Sequence, residues 1–195
     1  MAPRTKEAVE IIRKEKMQVI EKAAIEVFAE NGYHASSISL IAARAGISKG
    51  LIYNYYSSKE DLLKKVVFTT LEEMFQVFEF TGSMENLDFE SVMHKMIDDG
   101  FDWVVQNRDF LKIYFGMILQ PSVLSVVEKE MWEMAVPYFE KASIIFAAGG
   151  SDDPLGEIRY FNSMLDGIFL NYVLDPDSFP LQKIKQKVKD QYTKK

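Results

Sequence analysis

The sequence contains no cysteine, and it has only two histidines among its 195 residues. Without cysteine the chain can form neither a disulfide framework nor a thiolate metal site. His34 and His94 lie far apart in the chain, and its acidic residues show no spacing typical of a metal site or an acid–base pair. Because a glycine-rich phosphate loop is missing as well, we expect no catalytic residues, no metal and no cofactor, and predict that the chain is not an enzyme.

Long apolar runs are also missing. The longest ones are far too short for a membrane-spanning helix, which takes about 20 residues. The N-terminus, Met1–Lys6, leads into a charged helix and has no apolar signal core. We therefore expect a cytoplasmic protein with no membrane partner, and the 48% of apolar residues suffices for a substantial core.

The net charge of −6 argues at first against a polyanionic partner. The charge is unevenly distributed, however. Residues 1–65 carry 11 Lys and Arg against 8 Asp and Glu, a net charge of +3, whereas residues 66–195 carry 12 against 21, a net charge of −9. The excess of +3 is small, and it supports nucleic-acid binding only together with a motif in the same region.

That motif is the segment Ser36–Leu62, which reads as two short helices joined by a tight turn and followed by the start of a third. Ser37 is a suitable N-cap, and Gly46 suits a turn position that requires a positive φ. Ser48 can cap the next helix, which begins at Lys49 and is too short to be stable without packing. This order of elements is typical of a helix-turn-helix DNA reader.

Most side chains of the second short helix are expected to be exposed and free to contact a binding partner. Ile52 and Tyr56 can supply its buried contacts, and its other residues offer hydrogen-bond donors and aromatic rings. The following stretch, Ser57–Glu60, matches a capping box that opens the third helix. Backbone N–H groups at that helix start, together with Lys59, would form a phosphate seat.

At these residues the chain resembles the TetR family of bacterial transcriptional regulators. The resemblance covers roughly residues 12–65. The matching positions are Phe28, Gly32-Tyr33, Ala35–Ser37, Ile41-Ala42, Ala45–Gly50, Tyr53, Tyr55-Tyr56, Lys59-Glu60 and Leu62. It implies an all-α homodimer: a three-helix helix-turn-helix domain, residues 1–58, binds double-stranded operator DNA, and a larger C-terminal helical domain, residues 59–195, binds an effector and dimerises. Ser39 and Leu40 depart from the family pattern, which leaves the operator sequence open.

We predict that the DNA contacts come from the helix-turn-helix segment and the start of the helix after it. The predicted contact residues are Ser37, Ser39, Ser48, Lys49, Gly50, Leu51, Tyr53, Asn54, Tyr55 and Lys59. An asparagine can bind adenine through both atoms of its amide, and a leucine can pack against a thymine methyl group. Asn54 and Leu51 are thus the expected readers of base sequence.

Apolar periodicity predicts helices throughout and no strand. The expected helices cover residues 6–31, 59–80, 88–107, 109–119, 155–174 and 180–192. A further helix should begin at Pro121 and be kinked or split by Pro137. Thr81–Ser83 is expected to break the long helix that leaves the DNA-binding domain.

The middle of the chain is rich in methionine and aromatic residues. Such residues most often form the core of a helical protein, but they also line adaptable apolar pockets. The TetR resemblance implies an effector cavity here, and the candidate wall residues are Trp103, Tyr114, Met117, Trp132 and Phe139. The expected effector is accordingly a small apolar or aromatic molecule.

Two apolar stripes near the C-terminus have helical spacing. They could belong to the core of the chain itself or pair with a second copy, and the family resemblance favours a dimer interface formed by the last two helices. The candidate interface residues are Phe161, Leu165, Ile168, Phe169, Tyr172, Ile184 and Val188.

Two classes of function remain open on the sequence alone. The favoured one is a transcriptional regulator, most simply a repressor released from a palindromic operator by a small apolar effector. The alternative is an effector-free architectural or interaction protein with the same DNA-binding fold. A dry apolar cavity with a few polar groups would favour the first, and a solid core the second.

Overall fold

The computed structural model describes residues 6–77 and 88–193, and every regular element within these ranges is a helix. This confirms the predicted all-α fold class. The helices are, in chain order, α1 (Lys6–Ala35), α2 (Ile38–Ala45), α3 (Lys49–Tyr53), α4 (Lys59–Val77), α5 (Phe89–Gln106), α6 (Arg108–Ile118), α7 (Pro121–Ala148), α8 (Pro154–Leu174) and α9 (Leu181–Gln191). The break expected at Thr81–Ser83 lies outside the described residues.

In the described part of the chain, no single helix is long and apolar enough to cross a membrane. Helices α6 and α7 reach the required length and apolar content only when they are counted together, and the pair is bent by 108°.

The local signals at the N-terminus act as predicted. The hydroxyl of Ser37 accepts a hydrogen bond from the Leu40 N–H at 3.2 Å, and that of Ser48 accepts one from the Leu51 N–H at 3.2 Å. Gly46 ends α2 with φ 66°, and Gly32 interrupts the last turn of α1 with φ 72°. These positive φ angles require glycine, because other residues adopt them only with strain.

The capping box at the start of α4 lies one residue later than predicted. Ser58, and not Ser57, accepts the hydrogen bond from the Asp61 N–H, at 3.0 Å. The carboxylate of Asp61 in turn accepts hydrogen bonds from the backbone N–H and the hydroxyl of Ser57, at 2.8 and 3.1 Å. The predicted partner, Glu60, is exposed.

Close packing divides the described residues, 6–77 and 88–193, into two units, and the ranges that follow refer to these residues alone. The first contains the residues up to Thr69 together with Lys112–Val127, and the second contains Thr70–Leu111 and the residues from Glu128 onward. In the first unit, His34 Nε2 lies 3.2 Å from the hydroxyl of Ser122, which joins the end of α1 to the start of α7. The domain boundary between residues 58 and 59 stays a prediction.

The core of the first unit is formed by the apolar faces of its helices. Its most deeply buried residues are Ile20, Ala24, Val27, Phe28, Ile41, Ile52, Leu62, Leu63, Val66 and Val67. Ile52 holds α3 in this core, and the hydroxyl of Tyr56 donates a hydrogen bond to Glu21 of α1 at 2.5 Å. Burial and this hydrogen bond raise the pKa of Tyr56.

Helix α7 continues through Pro137, so of the two predicted outcomes, a kink or a split, the structure excludes the split. A proline inside a helix removes one backbone hydrogen bond and crowds the preceding turn, and packing elsewhere along the helix must offset this cost. Here Pro137 is exposed, whereas Ala135, Ala142, Ile145 and Phe146 of the same helix are buried. Packing on this buried side is sufficient to keep the helix in one piece.

The second unit has an aromatic core that includes part of the predicted dimer interface. The ring of Phe169 packs on Phe101 at 5.2 Å, and the ring of Phe161 packs on Tyr192 at 5.6 Å. Of the seven predicted interface residues, four are buried inside the single chain: Phe161, Leu165, Phe169 and Val188. The other three, Ile168, Tyr172 and Ile184, are half-buried.

Helix α9 is attached to α5 by ion pairs around Asp98. The Asp98 carboxylate lies 2.6 Å from Lys189 Nζ and 3.3 Å from Lys185 Nζ, and Lys185 also lies 3.3 Å from Asp102. Burial raises the pKa of Asp98, but the hydrogen bonds and charges of the two lysines outweigh it and hold that pKa below its usual value. Asp98 is therefore part of a helix–helix contact.

We expect Asp98→Asn to lower the free energy of unfolding by up to about 1 kcal/mol near neutral pH, since partly exposed ion pairs seldom contribute more. The lowered native pKa means that this contribution is complete above about pH 5 and is lost as the pH falls through that pKa. Urea unfolding at neutral and acidic pH would measure it. Asp102→Asn, which removes only the more exposed contact, should have a smaller effect. A difference between wild type and Asp98→Asn that persists in acid would contradict this account.

Candidate DNA interface

The exposed side of α3 consists of the residues that the sequence assigns to DNA. Lys49, Gly50 and Asn54 are exposed, and Tyr53 is 48% exposed, with the ring of Tyr53 5.9 Å from Lys49 Nζ. Leu51 and Tyr55 are half-buried. Since Ile52 faces the core, α3 presents donors, an aromatic ring and an unobstructed backbone on one side.

The three predicted serines have different roles. Ser37 and Ser48 accept hydrogen bonds at the N-termini of α2 and α3, and both are exposed. Their hydroxyls thus fix the starts of the two helices while they remain accessible. Ser39 is also exposed, in the first turn of α2.

Lys59 has partners within the first unit. Its ammonium group donates hydrogen bonds to the carbonyls of Tyr33 and Ser36, at 2.8 and 2.9 Å, and lies 4.3 Å from the centre of the Tyr33 ring. Burial lowers the pKa of Lys59. In this arrangement Lys59 connects the start of α4 to the link between α1 and α2, and two of the three N–H groups of its ammonium are bonded inside the first unit. Its place in a phosphate seat stays a prediction. The sequence pattern gave no signal of these carbonyl partners.

Arg44 of α2 is also used inside the first unit. Its guanidinium makes ion pairs with Glu26 at 3.1 Å and with Glu30 at 2.5 Å, both on α1. These hydrogen bonds to Glu30 and Glu26 raise the pKa of Arg44. The pairs fix α2 on α1 and neutralise a positive charge close to the helix-turn-helix segment.

The five candidate effector residues do not come together in one unit. Tyr114 and Met117 belong to the first unit, and Trp103, Trp132 and Phe139 to the second. Trp103 and Met117 are buried, Tyr114 and Phe139 are half-buried, and Trp132 is 60% exposed and so does not belong to an interior wall.

Met117 lines a small cavity of the first unit, of about 30 Å³. The lining also includes Phe28, Tyr33, Leu63, Ile113 and Gln120. This volume has room for only one or two water molecules, and an organic effector would not fit.

The second unit contains two buried polar groups, the hydroxyl of Tyr138 and the Nε atom of Arg108. The ring of Tyr138 stacks on Phe75 at 5.2 Å, its hydroxyl lies 3.4 Å from Asn162 Oδ1, and burial raises its pKa to about 12. The Nε atom of Arg108 is buried and has no hydrogen-bond partner in the described part of the chain. A buried N–H of this kind is costly to leave unpaired, which makes Arg108 a candidate ligand contact.

Comparisons with known proteins agree with this geometry. Residues 20–66 match the profile of the tetR family of bacterial regulatory proteins. Over 47 residues, 24% of each chain, the sequence is 57% identical to a fatty acid metabolism regulator protein of Bacillus subtilis. It is also 31% identical over 127 residues to YvdT, an uncharacterized HTH-type transcriptional regulator of the same organism.

These matches span 24% and 61% of the length of the two curated relatives. A solved structure, the fatty acid degradation regulator FadR from Bacillus halodurans, aligns with 91% of this chain and 94% of its own, with a TM-score of 0.71 at 22% identity. This likeness shows the fold, an N-terminal helix-turn-helix domain followed by a larger helical one. All three relatives are named as regulators, in agreement with the prediction that the chain is not an enzyme.

Gly50 allows a test of the interface that is separate from folding. It lies in α3 without a positive φ, and a Cβ added there would meet no atom within 4 Å. Alanine should therefore leave the melting temperature unchanged or raise it, since it is favoured over glycine in a helix by about 1 kcal/mol. If DNA approaches the backbone at this point, the added methyl should weaken DNA binding by about 1–3 kcal/mol through overpacking.

Fluorescence anisotropy with labelled DNA would measure the affinity of Gly50→Ala. Gly116→Ala is the matched control, because Gly116 is a helical glycine of the same unit with equally open space around its Cβ. Equal affinities of wild type and Gly50→Ala would remove Gly50 from the interface.

Proposed function

We propose that this chain, whose residues 20–66 match the tetR family profile, is a DNA-binding transcriptional regulator of the bacterial cytoplasm, most simply a repressor. The observation that carries the proposal is the exposed side of α3, where Lys49, Tyr53 and Asn54 stand free of the core. Lysine can bind phosphate and asparagine can read adenine, so this surface has the groups needed for a sequence-specific contact.

We further propose that the chain binds a palindromic operator as a homodimer. A single α3 covers one half-site, and two-fold symmetry places two readers about one DNA turn, or a multiple, apart. Since four of the predicted interface residues are buried in the chain itself, the exposed side of α8 is the better candidate surface. Tyr160, Ser163, Gly167 and Leu174 share this side, with Tyr160 57% and Leu174 74% exposed.

The small residues Ser163 and Gly167 would let two copies of α8 approach closely. A Cβ added at Gly167 would meet no atom within 4 Å in the single chain. The large apolar residues at both ends of this surface, Tyr160 and Leu174, would then be covered by the second copy, which removes apolar area from water.

The proposed effector is an apolar molecule with an acidic end. Two of the relatives are named for fatty acid metabolism or degradation, which makes fatty acids and their derivatives the first candidates. A carboxylate would pair the buried Nε of Arg108, and the aromatic residues of the second unit would surround the apolar chain. An effector-free architectural protein remains the alternative.

The DNA part of the proposal is tested by selecting bound fragments from random DNA with the purified chain. We expect a palindrome bound by two copies, as counted by analytical ultracentrifugation. Asn54→Ala should weaken binding to the selected operator by about 1–3 kcal/mol if Asn54 reads a base, and should leave binding to random DNA unchanged. One copy per site, or no selected sequence, would contradict the proposal.

The effector part is tested with palmitate and its uncharged methyl ester. Palmitate at a hundredfold excess over its Kd should stabilise the protein by about 2.7 kcal/mol and release the operator. Arg108→Met should weaken binding of palmitate more than that of the ester, because only the acid offers a charge to the guanidinium. If neither compound changes the melting temperature or operator binding, and a wider set of apolar compounds gives the same result, the effector-free alternative is favoured.

A further inference from the structure

Arg13 of α1 lies beside the DNA-reading segment. Its guanidinium carbon is 5.8 Å from the centre of the Tyr55 ring, and Tyr55 follows directly after the exposed Tyr53 and Asn54. Arg13 itself is exposed, and it lies seven positions before residues 20–66, the range that matches the family profile. The helix-turn-helix motif alone therefore gives no reason to assign it to DNA.

The register of α1 explains how Arg13 reaches this position. At 100° per residue, Arg13 shares a helix face with Ile20 and Ala24, which are fully buried in the core of the first unit. Met17, on the same face one turn later, is half-buried, and Arg13 is exposed. The core-facing side of α1 thus extends past the core, and Arg13 is the residue on it that meets Tyr55.

Arg13 differs from two other positively charged residues near α3, Arg44 and Lys59, which have partners within the first unit. The guanidinium of Arg44 is paired with Glu26 and Glu30, and the ammonium of Lys59 is bound to backbone carbonyls. Within residues 6–77 and 88–193, Arg13 takes part in no ion pair and no hydrogen bond, and its guanidinium lies over the ring of Tyr55.

A guanidinium packed over an aromatic ring keeps its charge, while its N–H groups remain available at the edge of the plane. Such a group is well suited to a phosphate, which it can bind through two parallel hydrogen bonds. We infer that Arg13 is a further DNA contact of this chain, a phosphate-binding residue that Tyr55 holds in place. This inference rests on the proposed DNA-binding function.

A phosphate contact changes the salt dependence of DNA binding, whereas a residue with a purely structural role does not. Each one adds about 0.9 to the slope of log affinity against log salt concentration, for any DNA sequence. Arg13→Ala should therefore lower this slope by about 0.9, and should weaken binding to the selected operator and to random DNA by the same factor.

Three further variants separate this contact from other effects. Lys22→Ala removes the same charge from an exposed position on the opposite face of α1, and should leave the slope unchanged. Tyr55→Leu removes the ring that holds Arg13 and should lower the salt slope in the same direction as Arg13→Ala. Arg13→Gln, which keeps polar bulk at the position, should reproduce the salt slope of Arg13→Ala. Melting temperatures of the variants equal to that of wild type would exclude a folding defect.

Anisotropy titrations between 50 and 200 mM salt would give the slopes. Over this range of salt concentration, six phosphate contacts lower the affinity of a DNA-binding protein by about 10³-fold. If wild type binds the operator and Arg13→Ala has the wild-type slope, the role of Arg13 is refuted and the proposed function stands. An equal loss of slope in Lys22→Ala would also refute it, because net charge alone would then explain the result. If wild type binds no DNA at all, the proposed function itself fails.

Discussion

The proposed DNA-reading surface depends on how a helix of five residues is held in place. Helix α3 is too short to be stable by itself, since a helix of this length does not repay the cost of nucleation. Its stability comes from the burial of Ile52, and from the hydrogen bond by which Tyr56 attaches the following turn to Glu21. Because one side of α3 is fixed in the core, the opposite side is forced outward with a defined set of residues.

Contacts within the first unit also determine which positively charged side chains remain available to DNA. Arg44 and Lys59 both lie close to the reader in sequence, yet the first is neutralised by two carboxylates and the second caps carbonyls. These contacts join α2 and α4 to α1 and so support the geometry of α3. In the proposed interface, the groups left for DNA are Lys49 and the polar groups of α3, with Arg13 as a further proposed contact.

In the second unit, the apolar residues of α8 have to cover the core of the chain and also provide a surface for the proposed dimer. The stripe of α8 that includes Phe161 and Phe169 packs on aromatic rings of its own chain. The proposed dimer would therefore use the side of α8 that this stripe leaves exposed, the side with Tyr160, Gly167 and Leu174. The paired lysines of α9 and Asp98 of α5 hold the last helix on this core.

The sequence by itself determined the helical class, the helix-turn-helix segment and its caps, because these follow from short-range spacing, from serine N-caps and from the glycines at positive φ. It did not determine the partners of Lys59, Arg44 and Asp98. Those partners lie on other helices, and only packing brings them within reach. The direction of the α8 stripe was likewise open, since an amphipathic helix shows which face is buried but not what covers it. Only the tertiary structure, by placing Phe101 against Phe169, decided that this face belongs to the core.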